Sequence, residues 1–158
     1  MVKPVSRARA HQWGVNLLEL MVVIAILAVV VSVAVPSYSQ LVASNAVRSA
    51  ASELHISLVQ ARSEAVKRNA VVSLTPVSSD WAKGWTGKLG GGETLIERGA
   101  VRGASFSGAP STVAYLATGR MRGTSPLAIT VSSTKDSAIK RCVVIDLSGR
   151  PSVGESGC

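Results

Sequence analysis

Two glycine-containing segments place arginines where they can contact phosphate groups. The segments read Gly119-Arg120-Met121-Arg122-Gly123 and Gly149-Arg150-Pro151-Ser152. The first lies between two predicted strands and the second begins the tail, so we expect their guanidinium groups on exposed loops, where a planar fork of donors suits phosphate oxygens. The residues predicted to contact double-stranded DNA are Arg120, Arg122, Lys140, Arg141 and Arg150. The alternative is that they are solvated turn residues that keep the protein soluble.

Charge and aromatic content are compatible with such a contact. The formal net charge is +8, and from Ser37 onward 14 Lys and Arg residues stand against eight Asp and Glu residues. A modest excess permits a polyanionic partner but first favours solubility and non-specific association. The aromatic residues after Ser37 are few for stacking single-stranded bases: Tyr38, Trp81, Trp85, Phe106 and Tyr115. Phosphate contact, with its strong salt dependence, should therefore dominate any DNA binding.

A carboxylate inside an apolar segment is the second feature that could make a specific interaction. Glu19 precedes a run from Leu20 to Val35 that is apolar apart from Ser32. A charge inside a bilayer costs on the order of 2.5–3.5 kcal/mol even on lenient scales, so Glu19 needs a partner. Cleavage before Val15 would create an α-amino group four residues earlier. In a helical bundle that ammonium can pair with the Glu19 carboxylate of a neighbouring subunit and set the axial register.

The two cysteines, Cys142 and Cys158, lie near the C-terminus. A chain that carries its C-terminal part outside the cytoplasm is expected to oxidise them to a disulfide. This pairing would tie the tail to the last predicted strand.

Catalytic and metal-binding patterns are missing from the sequence. His11 precedes the apolar segment, and His55 has no cysteine or paired carboxylate nearby. Two distant cysteines and one histidine do not make a zinc site, and Gly87-Lys88 is not followed by Ser or Thr as a phosphate loop requires. We therefore predict that the protein is not an enzyme and has no cofactor or metal.

The N-terminal segments predict a membrane anchor. Residues 1–14 are short and basic, which favours a cytoplasmic location for them and an outward location for the remainder. A helix over residues 15–35 would be about 31 Å long, close to the hydrocarbon thickness of a bilayer. Gly14 comes before the apolar run, whereas a secretory cleavage site would follow it, so cleavage there keeps the membrane helix. We expect an inner-membrane protein with a periplasmic C-terminal domain.

The sequence after the membrane segment predicts an α+β domain. Apolar residues recur at three- and four-residue steps from Val47 to Ala65, which is typical of an amphipathic helix ending near Arg68. Short β-rich runs follow, separated by Gly, Pro, Ser and Asp, and predict an antiparallel sheet on the helix. The run Ser78 to Gly92, with its two tryptophans, is predicted to be a mobile surface loop. The predicted organisation is a leader (1–14), a membrane helix (15–36), an amphipathic helix (37–69) and a β-rich domain (70–158).

The residues from Gly14 to Ile24, Gly-Val-Asn-Leu-Leu-Glu-Leu-Met-Val-Val-Ile, resemble the type III signal sequence of type IV prepilins. That resemblance implies the type IV pilin fold, with cleavage after Gly14 by a prepilin peptidase and methylation of the new N-terminus at Val15. It further implies that Glu19 guides filament assembly and that Pro36 kinks the helix. Val15 and Asn16 depart from the usual phenylalanine and threonine.

Residues 60–74, Gln-Ala-Arg-Ser-Glu-Ala-Val-Lys-Arg-Asn-Ala-Val-Val-Ser-Leu, with Trp81 and Gly84-Trp85, are similar to the FimT/GspH group of minor pilins and pseudopilins. The resemblance implies a FimT-like minor pilin among the other pilins of a filament, with DNA uptake in natural transformation as its function. FimT proteins bind DNA through a Gly-Arg-x-Arg tail motif, of which Gly149 and Arg150 are present here and Ser152 replaces the second arginine. The alternatives are a purely structural priming or capping pilin and a GspH-like pseudopilin of a type II secretion system.

Overall fold

The structure, a computed structural model, describes residues 16–90, 92–155 and Cys158. Gly14 and Val15 lie outside these residues. The chain divides into two compact units, of which the first ends at Tyr38 and the second runs from Ser39 to Cys158. One helix, α1 (Leu17–Lys67), contributes residues to both. The long N-terminal helix and a following antiparallel β domain confirm the predicted α+β class.

In the first unit, Asn16 caps the start of α1. Its side-chain oxygen accepts a hydrogen bond from the Leu18 amide at 3.3 Å, and its carbonyl accepts one from the Leu20 amide at 3.1 Å. Asparagine is among the residues favoured at a helix N-cap, which accounts for this start of α1. Every side chain described between Leu17 and Val35 is exposed, and this part of α1 is long and apolar enough to cross a membrane.

In the second unit, α1 buries the stripe that its sequence predicts. The buried helix residues at these positions are Val47, Ala50, Leu54, Leu58, Ala61 and Ala65. The helix ends where Asn69 adopts a left-handed conformation (φ 48°) and the Ala70 amide donates to the Ala65 carbonyl at 3.1 Å. This is the closing geometry expected of a helix C-terminus, and it confirms the predicted end near Arg68.

Within the described residues, eight strands follow the helix. They are β1 (Val72–Pro76), β2 (Trp85–Leu89), β3 (Thr94–Arg98), β4 (Ala104–Ser107), β5 (Val113–Tyr115), β6 (Leu127–Ser133), β7 (Lys140–Ile145) and β8 (Pro151–Gly154). They form two antiparallel sheets of four strands, in the orders β3-β2-β1-β5 and β4-β6-β7-β8. One hydrophobic cluster contains the helix stripe and inward-facing residues of both sheets. Ile129 and Val131 on β6 and Val143 and Ile145 on β7 are fully buried, which agrees with the alternation of apolar residues in these strands.

The prediction of a mobile loop from Ser78 to Gly92 is wrong. This region contains two short 3-10 turns and β2, which pairs with β1 on one side and β3 on the other. Trp81 is buried and donates its indole N–H to the Pro110 carbonyl at 2.8 Å, while Trp85 packs edge-on against Phe106. The free energy gained by burying two tryptophans outweighs the weak strand propensity of a segment rich in glycine and lysine.

Candidate nucleic-acid interface

Arg150 leaves a tight turn that follows β7, which we call the tail turn (residues 146–150). The Asp146 carboxylate accepts hydrogen bonds from the Ser148 hydroxyl at 2.6 Å and the Arg150 amide at 2.9 Å. The hydrogen bond from Ser148 is the main cause that lowers the pKa of Asp146, and the Arg150 amide acts in the same direction. The ionised carboxylate therefore stabilises the turn fully at any pH above the ordinary pKa of an aspartate. This stabilisation is lost in acid, as the pH falls through the lowered pKa of Asp146 in the folded protein. Arg150 itself is exposed.

Arg120 and Arg122 belong to a second turn, which we call the β5 turn (residues 116–122). The Leu116 amide donates to the Arg120 carbonyl at 2.9 Å, and the Arg122 amide donates to the Ala114 carbonyl at 2.7 Å. Met121 lies between the two arginines, is buried and forms a bridge with β5. Because successive side chains in an extended segment point to opposite sides, the buried methionine leaves both arginines exposed on the other side.

The two turns touch at their glycines. Gly119 and Gly149 both have positive φ angles, 75° and 82°. A Cβ atom built at Gly149 would collide with the Gly119 carbonyl oxygen and come within 3.2 Å of the Met121 amide nitrogen. Only glycine permits backbones to approach this closely. The structure therefore brings Arg150 onto a turn that adjoins the turn of Arg120 and Arg122, although Arg150 follows Arg122 by 28 residues in the sequence.

Arg62 joins both turns to α1, a role that sequence reasoning missed. Its Nε donates to the Gly119 carbonyl at 3.0 Å, and its Nη2 donates to the Ser148 carbonyl at 3.4 Å. The side chain is half-buried, next to the apolar stripe of the helix. The only signal in the sequence is an arginine beside an inward-facing alanine, Ala61, and this pattern is common on solvated helix flanks.

Lys140 and Arg141 lie at the opposite end of β7 from the tail turn. The register pairs Lys140 with Ser132 and Ile145 with Leu127, and five residues of strand span about 17 Å. Arg141 is half-buried, and its guanidinium lies 3.9 Å from the Glu155 carboxylate. The five predicted DNA-contacting residues are thus divided into an arginine group on the two turns and a separate basic pair.

The disulfide predicted between Cys142 and Cys158 is present, with a Cα–Cα distance of 5.0 Å. Cys142 is buried and pairs in register with Gly154 of β8. The bond therefore fastens Cys158 to the third residue of β7, in the half of the strand that is farther from the tail turn.

The aromatic residues offer no platform for stacking bases within the described part of the chain. Trp81, Trp85 and Tyr115 are buried in the core and Phe106 is half-buried, which leaves Tyr38 exposed. Burial raises the pKa of the Tyr115 hydroxyl, which has no hydrogen-bond partner among the residues that the structure describes. Base stacking is consequently not a means of binding open to the arginine turns.

The assembly residues predicted from the sequence lie in α1 where they are described. Glu19 is in its first turn, where the helix dipole favours a negative charge, and its side chain is exposed. Pro36 lies within the same helix, and its predicted kink stays a prediction. Among the residues that the structure describes, no three His, Cys, Asp or Glu side chains are grouped to hold a metal ion.

Comparison with known proteins places this geometry in context. A family model described as type II transport protein GspH matches residues 50–149. A crystal structure of the type IV minor pilin FimU from Pseudomonas aeruginosa PAO1, in space group P21, is similar with a TM-score of 0.61 and 25% identity, over 69% of this chain and 88% of FimU. FimU in space group P65 gives a TM-score of 0.58 and 25% identity, over 67% and 90% of the two chains. No curated protein sequence matches the chain.

Proposed function

The chain belongs to the GspH family, and from this premise we propose that it is a FimT-like minor pilin that also binds double-stranded DNA for uptake. The coarser part of this function follows from the family and the fold, since members are structural pilins or pseudopilins and the FimU structures share the architecture. The chain is a filament subunit anchored in a membrane by the apolar part of α1.

In the proposal, a prepilin peptidase of the inner membrane cuts between Gly14 and Val15, and the β domain faces the periplasm. The basic leader and the glycine before the apolar run support this orientation and this cleavage. The freed amino group then lies near Glu19 of a neighbouring pilin.

We expect Glu19→Ala to stay in the membrane but to enter filaments about tenfold less often. The substitution removes a carboxylate that is costly in lipid, while it leaves the ammonium of the neighbouring subunit without its partner. The measurement is the ratio of the variant in sheared filaments to the variant in the membrane pool. Glu97→Ala, which removes an exposed carboxylate from β3, is the control. Normal incorporation of the Glu19 variant would reject an assembly role for this residue.

The observation that carries DNA binding is the contact between the two arginine turns. It places three exposed arginines on adjoining turns whose backbone is already held by hydrogen bonds, so binding need not order the backbone of these turns. The nearest acidic group on the tail turn, Asp146, is engaged by Ser148 and by the turn backbone. The positive excess from Ser37 onward favours approach of a polyanion.

The test is a titration of duplex DNA with the full chain in a non-ionic detergent at several salt concentrations. Wild type is expected to bind without sequence preference, with a log-log salt slope of about 0.9 per phosphate contacted. Replacing Arg120, Arg122 and Arg150 together with Ala should weaken binding about 100-fold and reduce the slope by about two to three.

The matched control removes the same charge elsewhere, at the exposed residues Arg48, Arg98 and Arg102. If the site on the turns is correct, this variant loses less than about threefold in affinity. Equal losses in the two triple variants would mean that net charge alone attracts DNA. No binding by wild type at low salt would leave a structural priming or capping pilin, or a GspH-like pseudopilin of a type II secretion system, as the function.

A further inference from the structure

The contacts of Arg62 suggest that this helix residue assembles the arginine turns into one site. Its two hydrogen bonds reach residues 57 and 86 positions away, one in the β5 turn and one in the tail turn. A Cβ atom at Gly119 would meet Val66 and the Arg62 side chain within 3.4 Å, so the β5 turn rests directly on this part of α1. Arg62 thus connects both turns to the helix by hydrogen bonds.

Only arginine has the geometry for this double contact. Its Nε and Nη2 donors are fixed in one plane, so one side chain reaches the Gly119 and Ser148 carbonyls at the same time. Lysine carries the same charge on a flexible stem as a single nitrogen, and it has no rigid fork to fix the separation of two backbone segments. A substitution by lysine therefore separates the bridging function of Arg62 from its charge.

We propose that Arg62 is the positioning residue of the DNA site, and that it holds the β5 turn and the tail turn in the spacing at which Arg120, Arg122 and Arg150 contact one phosphate backbone together. This inference rests on the DNA function proposed above. Two donors of Arg62 are engaged by backbone carbonyls, and the side chain is half-buried, so its main partner is the protein. The exposed arginines of the turns are the ones that meet the ligand.

The experiment compares Arg62→Lys and Arg62→Gln with wild type in the same duplex titration, using the full chain in non-ionic detergent. Both variants are expected to lose about tenfold in affinity, because both lose the bridge and neither holds the three arginines in register. Arg48→Lys and Arg48→Gln are the matched controls, since Arg48 is exposed on the same helix. These controls should stay within about twofold of wild type.

Amide hydrogen exchange on the same proteins reports the bridge without DNA. In Arg62→Lys the amides of residues 116–122 and 146–150 should exchange faster, while those of β6 and β7 stay protected. General destabilisation would instead raise exchange throughout the domain, and this outcome would overturn the positioning role.

Three further results would also overturn the inference. If Arg62→Lys binds DNA as tightly as wild type and Arg62→Gln binds more weakly, Arg62 acts as a simple phosphate ligand. Unchanged exchange in both turns would show that the bridge does not hold them. Failure of wild type to bind DNA would reject the proposed DNA function, and the role of Arg62 within it would fall for that separate reason.

Discussion

Gly149→Ala is expected to lower the free energy of unfolding by about 2–4 kcal/mol, a large effect for one methyl group. The added Cβ collides with the Gly119 carbonyl oxygen, and a backbone carbonyl cannot move aside as a flexible side chain can. The φ angle of 82° adds the cost of a left-handed conformation for an L residue. The measurement is urea unfolding of the full chain in non-ionic detergent, followed by circular dichroism.

Substitutions at two other glycines separate the cost of the steric collision from the cost of the positive φ. Gly92 also has a positive φ, 91°, but a Cβ there meets nothing within 4 Å, so Gly92→Ala should cost only about 1 kcal/mol. Gly99 has open space and no such φ, so Gly99→Ala should stay within about 0.5 kcal/mol of wild type. Equal losses for the Gly149 and Gly92 variants would contradict the close contact between the turns. Because the contact supports the DNA site, we also expect Gly149→Ala to weaken duplex binding.

Removal of the Cys142–Cys158 disulfide is expected to lower the free energy of unfolding by about 3 kcal/mol. The two residues are 16 apart, and in the chain-entropy model a loop of about this size restricts the unfolded chain by that amount. Cys158→Ser is the preferred variant, because Cys158 is exposed whereas a change at Cys142 would also disturb the core. The same unfolding assay measures the loss, and reduced wild type should match the variant.

DNA binding provides an internal control for this second prediction. The disulfide joins β7 in the half of the strand farther from the tail turn, so Cys158→Ser should bind duplex DNA within about twofold of wild type under conditions where it is folded. Unchanged stability of the variant would show that the tail is fixed by other contacts.

Local patterns in the sequence predicted the parts of the fold that depend on periodicity. The buried stripe from Val47 to Ala65 follows from a repeat of 3.6 residues, and the inward faces of β6 and β7 follow from a repeat of two. Each pattern is complete within one element, because the side-chain direction is set by the backbone geometry of that element alone.

Patterns of this kind did not predict β2 and β3. The segment Trp85–Leu89 contains a glycine and a lysine and has little alternation, so by itself it resembles a loop. It becomes a strand because β1 and β3 pair with its two edges and because Trp85 fills the core. Strand pairing and the space available in the core are tertiary properties, and they override a weak local preference for a loop.

The candidate site shows the same division. The sequence by itself determined which residues are arginines in glycine turns, where the apolar helix and its carboxylate lie, and that two cysteines are available to pair. Only the tertiary structure decided that the β5 turn and the tail turn touch, that Arg62 bridges them, and that Lys140 and Arg141 lie elsewhere. The physical reason is that these contacts join segments up to 86 residues apart, and their geometry depends on how helix and sheets pack around one core.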